Sequence, residues 1–260
     1  MQRDAYGFTH NQTLRLANNG VVLQDIGDEI YKVMPDSIQQ SWHTNGYHGT
    51  YSHNARAVYN MYLGYFDMNP ANLNPLPIEP ESVKFVEYMG GSDAVIEKAQ
   101  QDFQEGEYRF VATALNKVIQ AEPENKVARG LLADTYEQLG YQSEGAGWRN
   151  IYLTGAQELR IGTQPGAPKT ASPDVLANMT IENLLDYLAV KVDSLKAQET
   201  PFTMNIQLPD VKESYYVEMS NGNLNNIQVS ELQDADTTLI INKSDVSDIV
   251  LKKTTLNKLL

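Results

Sequence analysis

Partway along this chain the spacing of its apolar residues changes from a helical period of about 3.6 to a period of two, so neither a single bundle nor a single sheet can accommodate it. The helical part is clear from Ser92 onward. Ser92 and Asp93 can cap a helix running through "AVIEKAQQDFQ", and Gly106 ends it. "EYRFVATALNKVIQAE" then sets Phe110, Ala114, Leu115 and Val118 at helical intervals, with Pro123 just past the end. "NKVARGLLADTYEQLG" predicts a third amphipathic helix closed by Gly140. The alternating part starts at Phe202. "FTMNIQLPD", "SYYVEMSNGNLNNIQVS" and "DTTLIINK" read as strands, and "SNGN" (220–223) as a hairpin turn, because Asn-Gly accepts positive φ angles. A helix precedes the strands in "TIENLLDYLAVKVDSL", with Thr180 and Glu182 suited to its first turn, and another follows in "SDVSDIVL", with Ser244 as its cap. Between the two regimes "GTQPGAPKTASPD" (162–174) concentrates Gly, Pro, Ser and Thr and reads as a linker.

The three helices fit the tetratricopeptide pattern, whose period is about 34 residues. Ala99, Gly106, Tyr108, Val111, Leu115, Val118 and Pro123 fill its small, glycine, aromatic, apolar and terminating positions, and Ala133, Tyr136 and Gly140 recur one period later. About one and a half repeats are present, fewer than the three or so that a free solenoid needs. These hairpins must therefore pack on the first 90 residues or on a second subunit. Upstream, Leu14, Leu16, Ala17 and Val21 to Leu23 begin a region of short helices and loops, up to the rigid "NPANLNPLPIEP" (69–80).

Three of the four histidines, His43, His48 and His53, fall in "WHTNGYHGTYSHN". Five-residue steps do not keep two ligands on one helical face, and Gly46 and Gly49 argue for a loop. With no cysteine and neither His-x-His-x-Asp-His nor His-Glu-x-x-His, the spacing predicts no metal site in this chain. No Gly-x-Ser-x-Gly elbow is present. "MGGSD" (89–93) lacks the Lys-Thr of a phosphate cradle and reads as a helix start. Asp67, Glu79 and Glu81 flank the proline loop and could do acid-base work. The apolar faces of the C-terminal part, among them Leu184, Leu188, Val190, Met204, Ile206 and Tyr216, could form a core or line a lipid tunnel. A formal net charge of −13 argues against a phosphate-tracking basic face, so neither nucleic acid nor an anionic membrane is an expected partner. No window has the roughly 18 apolar residues of a transmembrane segment.

Several blocks carry a more specific signal: "QRDAYGFTHNQTLRLANNG", "GYHGTYSHNARAVYNMYLGYFDMNPANLNPLP", "VEYMGGSDAVIEKAQQDFQEGEYRFVATALNKV" and "LLADTYEQLGYQSEGAGWRNIYLTGAQELR". In order, and with the final helix-and-strand region, they resemble the linear alkylsulfatases of the zinc metallo-β-lactamase superfamily, especially the enterobacterial alkyl/aryl-sulfatase type. The resemblance covers essentially the whole chain. It implies a multi-domain protein: an all-α dimerisation domain with tetratricopeptide-like hairpins over residues 1–161 (hairpins about 92–141), a linker over 162–174, and an α+β domain like sterol carrier protein 2 over 175–260. It also implies that the metallo-β-lactamase domain, with its His-x-His-x-Asp-His block and two zinc ions, precedes the position matching Met1, and that the C-terminal domain is cut short at Leu260.

By the same resemblance the parent enzyme hydrolyses sulfate esters such as dodecyl sulfate in the periplasm. This chain supplies homodimerisation, a lid over the active site and an apolar groove for a long alkyl chain, and it is inactive alone, with no catalytic residue of its own. His53 is the implied sulfate-binding residue, with Tyr47 and Asn54 as neighbours, since an imidazole can donate to a sulfate oxygen. His10 orients the helix that joins the domains. His48 stands where the family commonly has Tyr in "GYYG", which makes it non-essential. The rival reading is an autonomous lipid-binding or tetratricopeptide adaptor protein that re-uses these modules without hydrolase activity.

Overall fold

The computed structural model describes residues 1–163, 165, 166, 172–251 and 253–255. Two compact units, Met1–Pro165 and Gly166–Leu260, divide the chain. The first is helical and the second is a small α+β unit with a mixed sheet, the fold class that the change of period predicts.

The first unit opens with α1 (Gln2–Asn18), α2 (Leu23–Lys32) and the short α3 (Asp36–Gln39). A 3-10 turn at Trp42–Thr44 and the loop after it lead into α4 (Tyr51–Leu63), whose end is set by Gly64 at φ 80°. Leu16, Ile26, Ile30, Ala55 and Tyr59 form the core between α1, α2 and α4. Thr9 and Thr13 are buried in α1 at no polar cost, because their hydroxyls donate to the carbonyls of Ala5 (2.8 Å) and Thr9 (2.6 Å) one turn back.

Then come α5 (Ile78–Tyr88), α6 (Ser92–Glu105), α7 (Tyr108–Ala121), α8 (Lys126–Gln142) and α9 (Ala146–Ile161). Val86, Val95, Ile96, Val111, Leu115, Val118 and Leu132 share one core, so the hairpins do bury their faces on neighbouring elements of the same unit. "MGGSD" is a helix start, with Gly90 and Gly91 at φ 93° and 98° turning the chain into α6. Gly91 occupies the cap position, and the Ser92 hydroxyl instead donates to Glu122 at 2.5 Å. Gly106 closes α6 in the left-handed conformation, as the sequence predicts. Gly140 does not close α8, which runs on to Gln142. Gly140 is buried, and a Cβ there would lie 2.9 Å from Leu153 of α9, so its role is close approach of two helices.

The linker expected over 162–174 lies partly outside the described residues. The second unit begins with α10 (Pro173–Asn178), α11 (Ile181–Ala189) and α12 (Ser194–Ala197). Thr180 caps α11 by accepting the Asn183 N–H at 3.1 Å. The single helix expected up to Leu195 is broken at Val190 because Asp193 accepts from the Lys196 N–H and starts α12 afresh. The sheet holds β1 (Phe202–Leu208), β2 (Glu213–Ser220), β3 (Asn223–Gln228) and β4 (Thr237–Ile240) in the order β3-β2-β1-β4. β1 to β3 form an antiparallel meander, and β4 joins β1 in parallel with Met204 beside Thr237. Asn221 and Gly222 make the tight turn with φ angles of 51° and 73°.

The last helix, α13 (Lys243–Val250), is capped at Asn242 rather than at Ser244, and the Asp210 carboxylate accepts the Lys243 N–H at 3.0 Å. Leu184, Leu185, Ile206, Leu208, Tyr215 and Val217 make this unit's core. Of the apolar residues named from the sequence, Val190 is instead exposed, and Tyr215 rather than Tyr216 faces inward, since β2 buries Tyr215, Val217 and Met219 in alternation.

Candidate functional site

The histidine-rich stretch lies between α3 and the first turns of α4, and two clefts of the first unit meet along it. Thr50 caps α4 with its hydroxyl, which accepts the His53 N–H at 3.0 Å. His53 is therefore the third residue of a helix and not a loop residue, a correction that Thr at the cap position explains. Loop 45–50 leans on the start of α9: Ala146 donates its N–H to the Tyr47 carbonyl at 2.9 Å, and a Cβ on Gly145 would come within 2.9 Å of the Gly46 carbonyl oxygen.

The larger cleft, about 630 Å³, is lined by Asp28, Tyr31, Thr50, Ser52, Arg56, Arg109, Glu144 and Trp148 among others. Arg56 donates to the Ser52 hydroxyl at 2.5 Å, and its guanidinium lies over Gly27, where a Cβ would have to displace it. Arg109 pairs with Asp28 at 3.0 Å. The smaller cleft, about 340 Å³, is aromatic and is lined by Tyr6, Trp42, His43, Tyr47, His48 and Asn54. Thr44, Asn45 and Tyr51 line both. Burial, with Tyr31 and Tyr6 nearby, pushes the Tyr51 phenol above its usual pKa, so it stays protonated and donates a hydrogen bond to the Thr44 carbonyl at 2.6 Å.

The three residues named from the resemblance are thus divided. Tyr47 and Asn54 line the smaller cleft. His53, exposed, stands beside Trp148 of the larger one: the indole N–H donates to His53 Nδ1 at 3.2 Å, and the rings meet edge to face at 6.2 Å. His10 pairs with the Tyr62 hydroxyl at 2.9 Å, joining α1 to the last turn of α4. Sequence reasoning missed Arg56 and Trp148. The spacing from Thr50 to His53 could have placed the helix start, but Trp148 is 95 residues from its partner and no local pattern announces it.

Acid-base work by the proline-loop carboxylates fares less well. Asp67 accepts from the Asn69 N–H (3.0 Å), Asn72 (2.7 Å) and Gln24 (2.9 Å), bonds that hold its carboxyl below the usual range and organise the loop. Glu81 is paired with Lys117 at 2.7 Å. Among the described residues no three His, Asp or Glu side chains converge as metal ligands. Arg56 and Arg109 line the larger cleft together with the carboxylates of Asp28 and Glu144, whereas the Tyr47 hydroxyl and the Asn54 amide line the smaller one.

The first unit is helical and carries two clefts, and a small mixed-sheet unit follows it in the chain. Residues 23–162 match the family model described as alkyl sulfatase dimerisation, and residues 169–260 match the one described as alkyl sulfatase C-terminal. The chain belongs to the alkyl sulfatase family. It is 40% identical over 98% of its length to a linear primary-alkylsulfatase of Pseudomonas sp. and covers 38% of that protein. It is 45% identical over 98% of its length to an alkyl/aryl-sulfatase of Saccharomyces cerevisiae, covering 39% of it. The structure of the stereoselective inverting sec-alkylsulfatase of Pseudomonas sp. superimposes with a TM-score of 0.92 at 38% identity, covering 98% of this chain and 40% of that one. The chain therefore spans about two fifths of the length of these relatives.

Proposed function

We propose that this chain is the dimerisation and substrate-facing part of a zinc-dependent alkyl or aryl sulfatase that hydrolyses sulfate esters such as dodecyl sulfate. One observation carries the reading: near-complete coverage of the chain by alkylsulfatase relatives at 40–45% identity, with both of its units matched by alkyl sulfatase family models. The metal chemistry belongs to a part of the protein outside this chain, which spans about two fifths of the length of its relatives. His53 is the group that reaches the sulfate, helped by Tyr47 and Asn54, which line the smaller cleft. A sulfate ester is an acceptor-only anion, and charge-assisted donors bind such groups well.

The second unit binds the alkyl tail in the manner of a sterol carrier protein. Apolar burial at about 25 cal/mol per Å2 would favour long chains over short ones. The whole enzyme works in the periplasm. Two measurements test the reading. The purified chain should neither retain zinc nor turn over dodecyl sulfate, and turnover by this chain alone would overturn the division of labour. In the whole enzyme, deletion of residues 166–260 should cost more activity on dodecyl than on hexyl sulfate; equal loss would remove the groove.

A further inference from the structure

We propose that Trp148 is a positioning residue that holds His53 in the tautomer with its proton on Nε2, leaving that N–H as an outward donor for the sulfate oxyanion. The inference rests on the reading of His53 given above but goes beyond it, because it names the residue that decides what His53 can do.

An indole N–H is a donor only, so the ring nitrogen it meets must accept. The contact is to Nδ1, at 3.2 Å. A neutral imidazole that accepts at Nδ1 carries its proton at Nε2. Nε2 has no hydrogen-bond partner among the described residues, and the residue is exposed, so this N–H is available. The other tautomer would set two N–H groups against each other at Trp148 and present a lone pair to a ligand that is itself only an acceptor.

The ring plane is held as well as the proton. The two rings meet at 77°, edge to face. Each backbone is anchored separately: the His53 N–H is tied to the Thr50 hydroxyl, and α9, which carries Trp148, is pinned at its first residue by the bond from the Ala146 N–H to the Tyr47 carbonyl. Trp148 also lines the larger cleft, and through its indole N–H it holds the imidazole of the exposed His53. A group acting through another in this way affects orientation and proton position without touching the substrate.

The test begins with the chain itself. Imidazole 15N spectra at mildly alkaline pH should show His53 with Nδ1 unprotonated and Nε2 protonated, together with a through-bond 15N–15N coupling between Trp148 Nε1 and His53 Nδ1. Trp148→Phe should abolish the coupling and shift the two His53 nitrogens towards averaged values, while His10, held by Tyr62 and Asn11, keeps its own pattern. A wild-type spectrum with the proton on Nδ1, or no change at His53 in the variant, would overturn the proposal, and the wild-type measurement needs no variant to fold. In the whole enzyme Trp148→Phe should lower kcat/KM for dodecyl sulfate several-fold, and the loss should vanish when His53 is already Ala. If the spectra come out as expected but His53→Ala leaves kcat/KM unchanged, the sulfate-binding role of His53 falls and the tautomer assignment stands.

Discussion

At the scale of single residues, His53 and Tyr215 show how surroundings decide what a side chain does. The His53 imidazole stands at the surface with its Nδ1 accepting the indole N–H of Trp148, and the proposed role rests on the nitrogen that remains. In the whole enzyme His53→Ala should lower kcat/KM roughly tenfold to a hundredfold, the worth of one hydrogen bond to a charged group, with zinc content unchanged. Steady-state kinetics with metal analysis check this. Tyr215 is a structural counterpart. Burial, and then its bond to Glu213 at 3.0 Å, push its phenol up to about 12, against about 10 for an unperturbed tyrosine. The folded state therefore holds this proton when the unfolded state has already lost it. The stability this contributes is complete below pH 10 and is lost as pH rises from 10 through 12. Urea midpoints of Tyr215→Phe should fall less steeply over that window than those of the wild type; parallel curves would show that another group governs the alkaline limit.

At the scale of elements, two glycines in α8 separate helix propensity from packing. Gly130 is exposed with nothing within 4 Å of where a Cβ would stand, whereas Gly140 is pressed against Leu153. Gly130→Ala should stabilise the chain by about 0.5–1 kcal/mol, since Ala is the better helix former and the site imposes no clash. Gly140→Val should cost about 1–3 kcal/mol through overpacking between α8 and α9. Denaturant unfolding of the two variants reads the difference in sign. The strand β1 shows the same dependence on neighbours. Asn205, 2% exposed, donates to the Gln233 carbonyl at 2.8 Å and accepts its N–H at 3.0 Å, which ties the loop before β4 to the sheet. Nothing in "FTMNIQLPD" marks that Asn as buried, because its partner lies 28 residues further on.

At the scale of the molecule, the first unit leaves Tyr65 84% and Tyr88 89% exposed, together with Met61, Leu73 and Ile78. Single exposed apolar residues are ordinary, but several in one unit matched by a dimerisation family point to a surface that is covered in the assembled protein. The purified chain should sediment at twice its 29.1 kDa, and a monomer at tens of micromolar would refute homodimerisation through this chain. No helix among the described residues is long and apolar enough to cross a membrane.

Much of this was legible in the sequence because it is local. Helical spacing, the Gly106 stop, the Thr180 cap, the Asn221-Gly222 turn and alternation in β2 depend on residues within a turn or a hairpin of each other, so they specify the elements and the order of a helical unit before a mixed sheet. The long identifiable blocks of residues also disclosed the family. What only the tertiary structure decided are features that depend on a distant neighbour. Gly140 sits inside a helix because Leu153 needs its space, Tyr215 rather than Tyr216 turns inward because strand register assigns the faces, and Asn205 is buried because a later loop satisfies it. His53 belongs to that second class. Its helix start could be inferred from Thr50, but its pairing with Trp148 arises only when α9 packs against the loop before α4, and packing between segments 95 residues apart leaves no periodicity in the chain for a reader to find.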